Sequence, residues 1–234
     1  MQSATGGEVG GGTSTDTSVL EAEIRNTVVQ GSNVQQDVHD LTIRALRKQH
    51  RDHESLRHVI SAVLKGAREG AEQKLQQTPV QAQMVLKSTR DAVAGLDAAL
   101  AQLAEASKLA LEEAAGRAQK FSNEELMRVR KDLESVESLF LEILQSSAST
   151  AHKAVSETLH DLALHAKRNG TAVGAQLKDT LKAFNQQITS VGHQQLEAGI
   201  ELTHAITNLM REVAADALKS IAERVNPDNK PNRD

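Results

Sequence analysis

An all-α fold is predicted: an elongated antiparallel bundle of long amphipathic helices with coiled-coil-like seams and disordered termini. Three observations predict it. The chain between its ends is rich in Ala, Leu, Gln, Glu, Lys and Arg, the better helix formers. Its apolar residues recur in steps of three and four, the mark of one buried helix face. Proline occurs only once between the two tails, at Pro79. No period-2 alternation stands out, which argues against strands.

The elements follow in order. Residues 1–18 carry five Gly with Ser and Thr and no basic residue, so they read as a disordered tail with too little apolar surface to order. A short helix is expected from Val19 to Gln30, then a break at Gly31-Ser32-Asn33. The next stripe is Val34, Val38, Leu41 and Ala45, continued by Leu56, Ile60, Val63 and Ala67. Thr78-Pro79-Val80-Gln81 reads as a capping box with Thr78 as N-cap and Pro79 at the first helical position.

The following helix presents Leu86, Val93, Leu96, Leu100, Leu103, Ala110 and Ala114. Ser122 to Glu125 gives a second capping box, with Phe121 and Leu126 placed for a hydrophobic staple. From there one seam runs Leu126, Val129, Leu133, Val136, Phe140 and Ile143, then drifts to Val155, Leu159 and Leu162. Gly170 can take the left-handed conformation at a helix end, with Thr171 as a new cap. The last stripe runs from Val173, Leu177, Phe184 and Ile188 to Ile206, Val213 and Ile221, and Val225-Asn226-Pro227 ends it. The bundle is thus expected over residues 19–225 and a disordered polar tail over 226–234.

Composition removes whole classes of function. Without cysteine there is no disulfide scaffold, cysteine zinc site, iron–sulfur cluster or thiol nucleophile. Three Phe, no Trp and no Tyr leave almost no platform for base stacking. A net charge of −4, from 27 Lys+Arg against 31 Asp+Glu, gives no broad basic footprint, so nucleic acid is not the expected partner. No run of about 18 apolar residues suggests a transmembrane helix. No positive n-region precedes an apolar core, so a cytoplasmic location is expected.

Two constellations could carry chemistry. Glu157/His160 and Glu201/His204 are Glu-x-x-His quartets, which ferritin-like di-iron bundles use in pairs. Here both quartets flank their apolar stripes, so solvent-facing side chains are the first expectation, and no metal or other cofactor is assigned. The second is the one concentrated positive patch: Arg44, Arg47, Lys48, His50, Arg51, His53, Arg57 and His58. Local helix pairing with Glu54 would explain part of it. Its functional reading is contact with an anionic surface such as lipid headgroups, and its histidines also raise a zinc site as an alternative. Gly170 and Gly174 stand four apart and would permit close helix approach. No phosphate-binding glycine loop, nucleophile elbow or Ser/His/acid trio occurs, so no enzyme is expected.

Weak layers interrupt the seams: Thr89, Ser107, Ser147, Thr150 and Gln195 fall near core spacing. They are expected to set register, or to leave a bundle that can open onto a hydrophobic surface. The stretch Glu105–Arg117, the Phe121-Ser122 cap and the later Arg168–Gly174 resemble a family of uncharacterised, all-helical proteobacterial proteins, over about Val19 to Val225. That resemblance implies a fold and no chemistry. In composition the chain is also similar to phasins, amphipathic helical proteins that coat storage granules. The expected function is accordingly a phasin-like coat or scaffold on a hydrophobic granule or lipid surface. An oligomeric coiled-coil protein recruiting a helical partner is the alternative.

Overall fold

The computed structural model describes residues 11–48, 52–116, 122–190 and 205–206, and these are all-helical. The elements are α1 (Gly11–Gln30), α2 (Val34–Lys48), α3 (His53–Gln77), a single 3-10 turn (Pro79–Gln81), α4 (Ala82–Gly116), α5 (Asn123–Thr150), α6 (Lys153–Asn169) and α7 (Ala172–Ser190). They pack together around one apolar core that draws on every helix, from Leu20 and Ile24 to Val173 and Phe184.

Numbering across the close contacts gives the directions. Gly66 of α3 lies against Glu21 and Ile24 of α1, and Gly70 against Arg25 and Val28. The two numbers rise together, so α1 and α3 run the same way. Gly95 of α4 lies against Gln35 and His39 of α2, and His39 Nε2 is 2.7 Å from Gln102 Oε1, so α2 and α4 are also parallel. Arg57 bonds Glu142 and Glu72 accepts from the His152 amide, which sets α3 beside α5 in the same sense. Asp97 meets Ala172 and Val173, and Ala104 meets Thr180, which does the same for α4 and α7. Two rows result: α1, α3 and α5 in one, and α2, α4 and then α6 with α7 in the other. The 35 residues of α4 let it touch both α6 and α7.

Several boundaries correct the sequence reading. Helix α1 begins at Gly11, not at Val19, so residues 11–18 belong to a helix rather than to the tail. Extending a helix already anchored by Leu20, Ile24 and Val28 avoids the nucleation cost that would disfavour such a segment alone. Thr78 does not cap a helix through its side chain. Its hydroxyl donates instead to the Lys74 carbonyl at 3.0 Å, closing α3, and Pro79 opens a 3-10 turn before α4.

The seam expected to continue from Ile143 to Val155 is broken at Ala151-His152. Ser149 and Thr150 turn their hydroxyls onto carbonyls of their own last turn, and the Ser156 hydroxyl reaches the Ala148 carbonyl at 2.7 Å. Such side chains offer the backbone an alternative to continuing the helix. The other marks are seen as read. Gly31 and Asn33 take positive φ of 74° and 50°. Ser122 accepts from the Glu125 amide at 3.2 Å. Gly170 takes φ 83°. Phe121 and the segment 226–234 lie outside the described residues.

Two of the expected weak layers, Thr89 and Ser107, are buried, and so are Thr42, Ser88 and Thr158, which the seam spacing did not single out; each hydroxyl donates to the carbonyl four residues earlier on its own helix. They specify no partner. Thr180 and Thr171 are buried hydroxyls that look across: Thr180 stands 3.0 Å from the Ala104 carbonyl as well as from its own Gln176, and Thr171 reaches Glu137. Ser147 is half-buried, Thr150 is exposed, and Gln195 lies outside the described residues.

Candidate functional site

The basic corner forms where α2 ends and α3 begins. Asp52 has extended backbone and accepts from the Ser55 amide at 2.8 Å, so it caps α3. This places His53, Arg57 and His58 on the first turns of α3, while Arg44, Arg47 and Lys48 lie on the last turns of α2. His50 and Arg51 lie outside the described residues. The corner is interleaved with acid. Arg44 stands 3.5 Å from Glu23, Arg57 3.1 Å from Glu142, and His53 3.9 Å from Glu54. Asp132 of α5 feels both Asp52 and His53, and burial is the first cause of its raised pKa. Lys48 and His58 are exposed. Pairs this solvated contribute little to stability, so the cations can exchange their partners for an anionic surface.

Of the two quartets, the described residues include one. Glu157 and His160 are both exposed on α6, while Val155, Thr158 and Leu159 form its buried face. Glu201 and His204 lie outside the described residues. No group of three or more His, Asp or Glu is placed to hold a metal ion among the described residues. The described members of the basic and histidine-rich stretch 44–58 likewise bring no such group together.

The sequence reading missed two arrangements. The first is the seat of α7. Asp97 of α4 accepts from the amides of Ala172 (2.8 Å) and Val173 (3.0 Å). The Thr171 hydroxyl donates to Glu137 of α5 at 2.6 Å and accepts from the Gly174 amide at 2.8 Å. The Asp97 carboxylate of another helix and the Thr171 hydroxyl therefore satisfy amides that a helix start leaves open, and Glu137 of a third helix holds that hydroxyl in place. Burial is the main cause that raises the Asp97 pKa. The two amide hydrogen bonds oppose it and the nearby Glu137 charge adds to it. A Cβ on Gly174 would collide with the Glu137 carboxylate. Gly174 therefore makes room for a side chain, not for the close helix approach expected of Gly170 and Gly174.

The second is the contact between α1 and α3. A Cβ on Gly66 would strike the Glu21 carbonyl, and one on Gly70 would stand 2.6 Å from the Arg25 carbonyl. Around this seam Arg25 bonds Glu21 (3.0 Å) and Glu69 (2.8 Å), and Lys65 bonds Glu21 at 3.0 Å. Gly66-Ala67-x-x-Gly70-Ala71, four small residues at helix spacing, was the signal available in the sequence.

No described helix is long and apolar enough to cross a membrane. Among the described residues, the large apolar side chains left in solvent are Val19, Val80, Met84, Leu109, Met127 and Leu164. Compared with known proteins, residues 12–227 match the model of a family of unknown function, DUF6781. No curated protein and no solved structure gives a match.

Proposed function

Since the chain belongs to DUF6781, whose description names no activity, the reading must come from the residues, and we propose a non-enzymatic coat. In this reading the helices form an elongated, up-and-down antiparallel bundle in the cytoplasm. Its helices lay their apolar faces on a hydrophobic granule or lipid surface, as phasin-like proteins do. One observation carries it. Inside the seams the buried hydroxyls of Thr42, Ser88, Thr89, Ser107 and Thr158 are satisfied by their own helices. A helix that leaves its neighbour for an apolar surface takes those hydrogen bonds with it and orphans none of these groups. Orphaned buried groups are the usual penalty for such a move.

The exchange is near balance. At roughly 25 cal/mol per Å², a buried apolar face of about 300 Å² loses roughly 7 kcal/mol of burial when it leaves its neighbour and regains a similar amount on an apolar surface. The Ala-rich core helps, because contacts of Ala92, Ala99, Ala104, Ala106 and Ala110 are smooth and bind one apolar surface about as well as another. The exposed cations of the basic corner would favour an anionic interface, at about 1 kcal/mol per Lys or Arg near the surface.

The test is flotation. Purified full-length protein is mixed with polyester granules or with vesicles containing anionic lipid and centrifuged through a density step. The protein is expected in the floating fraction, with its far-ultraviolet helicity retained. Its complete recovery in the soluble fraction would overturn the proposal.

A scaffold that recruits a helical partner is the second reading. It is favoured by the position of the α1–α2 hairpin, which ends both rows of helices.

A further inference from the structure

Among the described residues, α1 and α2 touch only each other, α3 and α4. Their opposite side, where a third pair of helices would stack, has no described occupant. A notch of about 80 Å³ opens there between the two helices, lined by Asp16, Val19, Leu20, Glu23, Leu41, Arg44, Ala45 and Lys48. Small-molecule pockets commonly measure about 300–1,000 Å³. This notch is the size for one aliphatic side chain, a hole for a knob in helix packing. Val19 stands at its rim, 53% exposed.

The charges of the notch divide by helix. The acids Asp16 and Glu23 are on α1, two turns apart, and the bases Arg44 and Lys48 are on α2, one turn apart. Arg44 reaches Glu23 only at 3.5 Å, and both side chains stay about half exposed. An edge with acid on one helix and base on the next is complementary to itself. When a second copy approaches about a two-fold axis, its basic α2 faces the acidic α1 of the first copy, and the reverse contact forms at the same time.

We propose that the outer edge of the α1–α2 hairpin is a homodimer interface. The two copies pair α1 against α2, Val19 of each copy enters the notch of the other beside Leu20, Leu41 and Ala45, and Asp16 and Glu23 face the partner copy's Arg44 and Lys48. The proposal goes beyond the coat reading and does not depend on it, since its readout needs no surface.

Charge reversal tests it. Light scattering across a chromatographic peak at micromolar concentration is expected to give a dimer for the full chain. Two separate double variants, Arg44→Glu with Lys48→Glu and Asp16→Lys with Glu23→Lys, each set like charges against each other twice. Each should raise the dimer dissociation constant at least tenfold, with far-ultraviolet helicity unchanged. Mixing the two variants restores both contacts and should return a heterodimer. Should a double variant lose helicity, Val19→Gln, a change at an exposed position, is expected to weaken the dimer on its own.

A monomeric wild type would overturn the proposal and leave the edge to residues 1–10 or to a different protein. Dimers that ignore the charge reversals, or variants that do not recombine on mixing, would overturn it as well. Flotation of the monomeric variants with granules would show that the coat reading survives without the dimer.

Discussion

The two ends of the helix rows are held by opposite means. Where α1 meets α3, backbone lies on backbone. Gly66 and Gly70 remove two Cβ atoms so that the Glu21 and Arg25 carbonyls can approach, and Arg25, Glu69, Lys65 and Glu21 tie the rim. Where α7 meets α4 and α5, the contact begins with carboxylates. Asp97 and Glu137 hold the first turn, just after Gly170 with its positive φ. Close steric fit tolerates little change before it fails. A cap of charged groups on a hinge can release and reform at smaller cost. If the bundle opens onto a surface, α7 is the helix that leaves first and the α1–α3 pair is the one that stays.

The largest effect expected is from Phe184→Ala. Phe184 is fully buried on α7, and such truncations cost about 3–5 kcal/mol. Where that loss appears decides the comparison. If α7 opens by itself, amide exchange should accelerate along α7 while α1 and α3 keep their protection. A loss of protection spread evenly over all helices would show that the two ends form one cooperative unit and that their different attachments have no dynamic consequence.

Gly66→Ala comes next. In an exposed helix this change would stabilise by about 1 kcal/mol through propensity alone. Against the Glu21 carbonyl it should instead destabilise, by about 1–3 kcal/mol of overpacking, read from the midpoint of chemical denaturation. A stabilised variant would mean that α1 shifts to accommodate the methyl group, and that the close contact is not the rigid part of the molecule.

What was legible in the sequence follows the same division. Helix faces were legible, because apolar spacing registers burial directly: Leu96, Leu100, Leu103, Leu133, Val136 and Phe140 are all buried as expected. Boundaries that rest on one residue were legible too: the positive φ of Gly31 and Gly170, and the side-chain cap of Ser122 at the start of α5. The stop at Ala151 was not, because no glycine or proline marks it. It arises from Ser and Thr hydroxyls that turn on their own carbonyls, and from Glu72, a residue of another helix, meeting the His152 amide. Asp97 could not be recognised for a related reason. It sits on an otherwise apolar helix face and reads there as an interruption, while its partners lie 75 and 76 positions later. The quartet Glu157/His160 was legible as well: it flanks the apolar stripe of its helix, and both side chains lie in water as that position implies.

The smallest effect expected is at Asp97, and its pH dependence is the most informative. Asp97→Ala removes the acceptor of two α7 amides and should cost about 0.5–2 kcal/mol, as the loss of a helix cap does. Asp97→Asn keeps one acceptor and sheds the charge. Because burial raises the Asp97 pKa in the folded chain, the fold binds its proton more readily than the unfolded chain does. Its protonation therefore contributes stability that is complete below the ordinary carboxylate range and is lost as pH rises through the raised value. The gap in denaturation midpoint between wild type and Asp97→Asn should accordingly be narrower at pH 7 than at pH 4. A gap that widens toward neutral pH would mean that the charged form is the one the α7 amides favour. The seat would then lock α7 at neutral pH, and the contrast with the glycine-held pair at the other end would be lost.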